Sequence, residues 1–252
     1  MTDDRPQPPA PHTPREFHGQ DLRGARFRAC DLSGVVVRGS DVAGLEVDSP
    51  WLLEDPDATL LVNGVNVAPL VDAALDERFP GRALRRAEDP AGLREAWAAL
   101  ERAWTALDER VVAMPDGTAD ASVDGEWSYA QTLRHLVMAT DTWLGRAILG
   151  RSPEEAYHPA GLADASYAAD GRDPSVFADT DPDLGTVRAA RADRQAMVRD
   201  LLASVTTDDL GGTRPNPWAP EHPETVLSCL RTILEEEWEH HRYAVRDLDA
   251  LA

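Results

Sequence analysis

The sequence predicts a mostly helical protein, an up-down-down-up four-helix bundle preceded by a short repeat segment and a hairpin. Three observations carry that expectation. Four stretches of twenty-odd residues repeat their apolar positions at helical spacing, a linker of more than thirty residues separates the second from the third, and a five-residue repeat runs near the N-terminus. Four amphipathic helices bury their stripes most simply against one another, and a linker that long can run the length of the bundle, so that the second and third helices lie parallel.

Composition narrows the function before any motif is considered. The chain has 252 residues, 42% of them hydrophobic, enough for a sizeable core. Its net charge of -20 repels nucleic acid and anionic membrane surfaces, so neither is an expected partner. All 25 basic residues are arginine, which excludes Schiff-base chemistry and a phosphate-loop lysine. The two cysteines, Cys30 and Cys229, stand far apart and form no disulfide framework or CxxC motif, which fits a reducing cytoplasm. The N-terminus has no basic start followed by an apolar run, and no segment approaches the roughly twenty apolar residues of a membrane span.

Residues 1–14 are polar and proline-rich and read as a flexible tail. Over 15–49, Phe17, Leu22, Phe27, Leu32, Val37, Val42 and Val47 recur every five residues, a period of neither helix nor strand. The pattern resembles the pentapeptide-repeat family, and that resemblance implies a right-handed β-helix with these side chains pointing inward. Seven units make under two coils, a rise of only about 8 Å at strand spacing, too short to mimic a DNA rod. A capping or packing module is the expectation, and whether it packs on the bundle or on a second chain stays open.

Residues 50–87 join the two parts. The runs 59–62 and 65–67 flank Asn63-Gly64, the commonest two-residue hairpin signal, and 69–78 reads as one or two helical turns before Pro80 and Gly81. From 88 to 252 the chain reads as a helical domain. Between 89 and 114, Leu93, Leu100 and Leu107 occupy one heptad seam, with Trp97, Trp104 and Val111 on the other. The second helix, about 128–149, opens with Ser128 and Gln131 in capping-box spacing and carries Leu136, Ala139, Trp143 and Ala147 on one face. The third covers about 183–205 and the fourth about 224–251.

The fourth helix holds the informative anomaly. Its apolar seam should run Leu227, Leu234, His241, Leu248 and Leu230, Glu237, Ala244, Leu251, so Glu237 and His241 fall in the core stripe, one turn apart. That spacing suits two ligands of one metal ion, with His135 of the second helix as the third and one position left for water. A buried carboxylate needs a cation, and an arginine such as Arg194 is the alternative partner for Glu237. The neighbouring pair Glu236 and His240 has the same spacing about 100° round the helix and reads as solvated. Arg191 and Arg194 lean inward from the third helix as candidates for anionic substrate groups, and Tyr157 and His158 in the long linker are candidates to line the mouth.

Trp127-Ser128 leading into Leu133-Arg134-His135-Leu136, then the run from Leu230 through Glu237 and His241 to Tyr243, resembles the DinB-like superfamily, near the branch holding the metal-binding domain of mycothiol-dependent maleylpyruvate isomerase. The resemblance covers about 88–252. It implies an up-down-down-up bundle with a divalent metal, commonly zinc or nickel, held by a His on the second helix and an HxxxH or ExxxH pair on the fourth, which carries over here as His135, Glu237 and His241. It further implies a thiol-dependent S-transferase or isomerase in which the metal activates a low-molecular-weight thiol such as mycothiol. A non-catalytic stress- or partner-binding module and a zinc-dependent hydrolase remain as alternatives. The partners expected are a small-molecule substrate or thiol, with a homodimer left open.

Overall fold

A computed structural model describes residues 15–28, 30–53, 57–163, 166–169, 171–178 and 180–252. The tail expected over 1–14 lies outside the described residues. The chain divides into two compact units, Met1–Asp48 and Ser49–Ala252.

In the first unit a four-residue turn recurs every ten residues, at Leu22–Ala25, Leu32–Val35 and Val42–Leu45, each preceded by Asp21, Asp31 or Asp41 and with Gly24, Gly34 or Gly44 third. Each Asp carboxylate accepts from the backbone N–H two residues on, of Arg23, Ser33 and Ala43, at 3.1, 2.9 and 3.0 Å. The N–H of Ala25, Val35 and Leu45 then closes each turn onto the carbonyl of Leu22, Leu32 and Val42. The three glycines have φ of 78°, 74° and 78°, where a side chain would be strained. The five-residue repeat is thus realised as a string of turns. Among the described residues of 15–48 there is no strand and every side chain is exposed. Fewer than two coils give no centre a layer on both sides, so little apolar area rewards a stacked ladder.

The second unit begins with the expected hairpin. Leu61–Val62 (β1) pairs antiparallel with Val65–Asn66 (β2), and Asn63 and Gly64 between them both have positive φ, the conformation of a type I′ turn. Helix α1 follows over Ala68–Arg78, three turns rather than one or two. Gly81, at φ 99°, turns the chain into a 3-10 stretch over Arg82–Arg86. A Cβ on Gly81 would lie 2.7 Å from that of Ala99, so backbone geometry and packing both require glycine there. Arg82, 1% exposed, donates to Asp76 at 2.6 Å and Asp72 at 2.9 Å, and Arg85 reaches the same two carboxylates at 3.0 and 2.7 Å.

Helix α2, Pro90–Ala113, starts at Asp89, whose side chain caps the N–H groups of Ala91 and Gly92. It buries Leu93, Trp97, Leu100, Trp104, Leu107 and Val111, the two seams that the heptad spacing predicts. Helix α3, Tyr129–Thr140, opens with the predicted Ser128–Gln131 capping box and runs on as a π-helix over Asp141–Ile148. The widening accompanies Thr140 and Thr142, whose hydroxyls take the carbonyls of Leu136 and Met138 at 2.9 Å each. The linker that follows carries two single turns, α4 at Pro153–Ala156 and α5 at Ser166–Ala169. Helix α6, Leu184–Ser204, is capped by Asp183, and α7, Thr207–Leu210, is one more turn. Thr213–Arg214 (β3) and Glu224–Thr225 (β4) make a small ribbon before helix α8, Val226–Ala250.

The four long helices pack in pairs. Helix α2 lies against α6 and α8, and α3 lies against the same two. Their apolar stripes meet in one core that includes Trp97, Trp104, Leu133, Leu144, Val187, Ile233 and Trp238. Each such side chain, fully buried, contributes about 1.5–3 kcal/mol. No helix among the described residues is long and apolar enough to cross a membrane.

Candidate metal centre

The packing of α8 against α3 brings three side chains together: His135 from the second turn of α3, and Glu236 and His240, one turn apart on α8. Their ligand atoms all lie within 4.8 Å of one another. His135 Nε2 stands 3.3 Å from Glu236 Oε2, and His240 Nδ1 stands 3.4 Å from the same oxygen and 2.9 Å from the Glu236 backbone carbonyl. The two imidazoles are stacked, centroids 4.5 Å apart and planes at 27°. Trp127, the residue before the α3 cap, covers them with its ring 4.7 Å from His135 and 6.1 Å from His240.

The protonation state suits ligation. Burial pushes the His240 pKa down to about 4, helped by His135 and opposed by Glu236, so the ring is neutral at pH 7 with a lone pair to offer. His135 Nδ1 is buried with no hydrogen-bond partner among the described residues. Two imidazole nitrogens and one carboxylate oxygen form a donor set that suits zinc or nickel, and three protein ligands leave a coordination position for an exchangeable group. The residues present therefore fit a divalent ion.

The trio expected from the sequence is not what the structure groups. His135 is a member of the cluster, while Glu237 and His241 turn into the core. Glu237 is 1% exposed, and both its carboxylate oxygens accept from Nη2 of Arg191. Burial pushes its pKa up, and Arg191 pulls against that. His241 meets Phe79, Trp104 and Trp238 edge-on, at centroid distances of 5.9, 5.1 and 5.7 Å, and burial pushes its pKa down. The physical reason is angular. The leucine seam marks the most buried stripe of α8, whereas the stripe that faces α3 lies one residue, about 100°, away.

The four residues expected around a substrate separate in the same manner. Arg191 holds Glu237 and acts electrostatically on His240. Arg194 pairs at 2.6 Å with Asp141, which is fully buried and also accepts the backbone N–H of His158 at 2.8 Å. Burial raises the Asp141 pKa to about 6 against the pull of Arg194. Tyr157 is 5% exposed, with its hydroxyl 3.2 Å from that of Thr142 and its ring against Tyr167 and Phe177. The His158 ring accepts the N–H of Ala160 at 3.0 Å. Arg194, Tyr157 and His158 thus pin the long linker onto the π-helical turn. The pair Glu236 and His240, read from the sequence as solvated, is instead half-buried against His135, and the signal was present as two overlapping ExxxH pairs in Glu236-Glu237-Trp238-Glu239-His240-His241.

Trp127 also borders a recess of about 10 Å³ lined by Tyr129, Thr132 and Ala244, room for one water. Compared with known proteins, the chain matches the family profile of the DinB superfamily over residues 99–244. No curated protein and no solved structure matches it.

Proposed function

Because the chain belongs to the DinB superfamily, in general a metal-binding family, we propose that it is a divalent-metal protein with the up-down-down-up bundle of that fold and with His135, Glu236 and His240 as the metal ligands. The observation that carries this reading is the approach of the three ligand atoms to within 4.8 Å. A bound zinc or nickel ion supplies Lewis acidity that lowers the pKa of a thiol brought to it, the chemistry of a mycothiol-type S-transferase or isomerase. The chain's own residues set the stage for it. His240 keeps a neutral ring at pH 7, Glu236 brings one negative charge, and Trp127 fixes the two imidazole planes and excludes water on its side. A low-molecular-weight thiol would enter from the Glu236 side, where that side chain is 33% exposed. Residues 15–48 we read as a pentapeptide-type segment, supported by positive φ at Gly19, Gly24, Gly34, Gly39 and Gly44.

The test is elemental analysis of the purified, desalted protein, followed by melting curves with mycothiol, bacillithiol and glutathione. Ligand linkage raises the melting temperature only where the folded state binds the thiol. Absence of metal, with no response to added zinc or nickel, would overturn the assignment. Metal without response to any thiol would favour a second reading, a non-catalytic binding module.

A further inference from the structure

Residues 15–48 combine two features that point to a partner. Every described side chain in the segment is exposed, including the repeat centres: Phe17 and Phe27 are each 61% exposed, and Leu32, Val37 and Val42 are at 47, 58 and 51%. A regularly spaced apolar row open to water is a contact surface or an aggregation hazard. The second feature is charge. The segment is nearly neutral in a chain of net charge -20, yet its halves differ: 15–30 carries four arginines against Glu16 and Asp21, and 31–48 carries four acids against Arg38. The halves are therefore +2 and -3.

We propose that residues 15–48 are the surface on which two copies of this chain pair about a two-fold axis, the basic half of each facing the acidic half of the other. A two-fold interface needs a patch complementary to itself. Antiparallel pairing supplies that here, since it sets unlike halves opposite and lays one row of apolar centres along its copy. The regular turns favour it further, because turns spaced ten residues apart repeat at the same interval in both copies. A strongly acidic partner would be repelled by the 31–48 half and a strongly basic one by the 15–30 half. The segment itself has the charge distribution that suits both.

The experiment is sedimentation of the full chain over a range of concentrations, with helix content checked by circular dichroism. Wild type should shift from one to two chains per particle as concentration rises, and added salt should weaken the shift, since screening acts over about 8–10 Å. Arg26→Glu with Arg28→Glu makes both halves negative, and Glu46→Arg with Asp48→Arg makes both positive. Each double variant alone should stay monomeric, and an equal mixture of the two should form a mixed dimer. Three outcomes would overturn the proposal: a wild type that is monomeric throughout, as it would be if the segment docks on its own chain; a dimer that survives in both variants; or a mixture that fails to pair. None of these depends on whether the His135 cluster holds a metal.

Discussion

Replacing Arg191 by methionine leaves the Glu237 carboxylate in the core without its cation, and the cost follows from how deep the pair lies. The side chains of Glu237 and Arg191 are 1% and 5% exposed, so neither charge can turn to water. Removing one partner of such a pair costs about 3–5 kcal/mol, whereas replacing both by apolar groups of similar volume is often neutral or stabilising. For a unit of about 200 residues, 1 kcal/mol moves the melting midpoint by roughly 2–4 °C, so Arg191→Met alone should lower it by roughly 6–20 °C. Glu237→Leu, which strands Arg191, should do the same, and the double variant should recover most of the loss. Denaturant unfolding of the four proteins gives the coupling directly. The same samples go to metal analysis, where the double variant should bind a divalent ion as wild type does, because Glu237 is a core residue and Glu236 the proposed ligand. A double variant that is stable but metal-free would refute this reasoning, as would an Arg191→Met protein within about 1 kcal/mol of wild type.

Adjacent histidines should behave oppositely. His240→Ala should abolish metal binding in a folded protein, while His241→Ala should keep the metal but lose about 2–5 kcal/mol, because it opens a hole among Phe79, Trp104 and Trp238; paired metal analysis and denaturant unfolding decide. Asp72 should supply acid sensitivity. Burial raises its pKa, but hydrogen bonds from Arg82, Arg86 and Arg85 outweigh burial and bring it to about 2, below the unfolded value of 3.8. Its contribution, about 2 kcal/mol, is therefore complete above pH ~4 and disappears as the pH falls through about 2, and Asp72→Asn should flatten that part of the stability curve. Gly81→Ala should destabilise by more than 1 kcal/mol, since the new methyl meets Ala99 at 2.7 Å from a backbone with φ of 99°; an unchanged midpoint would show that the turn relaxes freely.

Much of the architecture was legible from local rules. The Ser128–Gln131 capping box, the two seams of α2 and the Asn63-Gly64 turn each depend on residues within a turn or two of one another, and each is found as the spacing predicts. The repeat over 15–48 was visible as a period, and the structure realises it as recurring turns with no strand among the described residues. The ribbon of β3 and β4 has two residues a strand, too few to show a period. The π-helical turn at Asp141–Ile148 is held across the chain as well as by the local Thr140 and Thr142 hydroxyls, through Asp141 with Arg194 and with the His158 backbone.

For the candidate site, the amino-acid order alone showed carboxylate and imidazole pairs one turn apart on α8, offered His135 as a candidate to meet one of them, and required a cation for any carboxylate in the core stripe. Only the tertiary structure decided that Glu236 and His240 take the first role, that Glu237 takes the second, and that Arg191 rather than Arg194 answers it. Periodicity sets the angle between residues on one helix, about 100° per step, but carries no information about how that helix is rotated against its neighbours. That rotation is set by the packing of α8 against both α2 and α3.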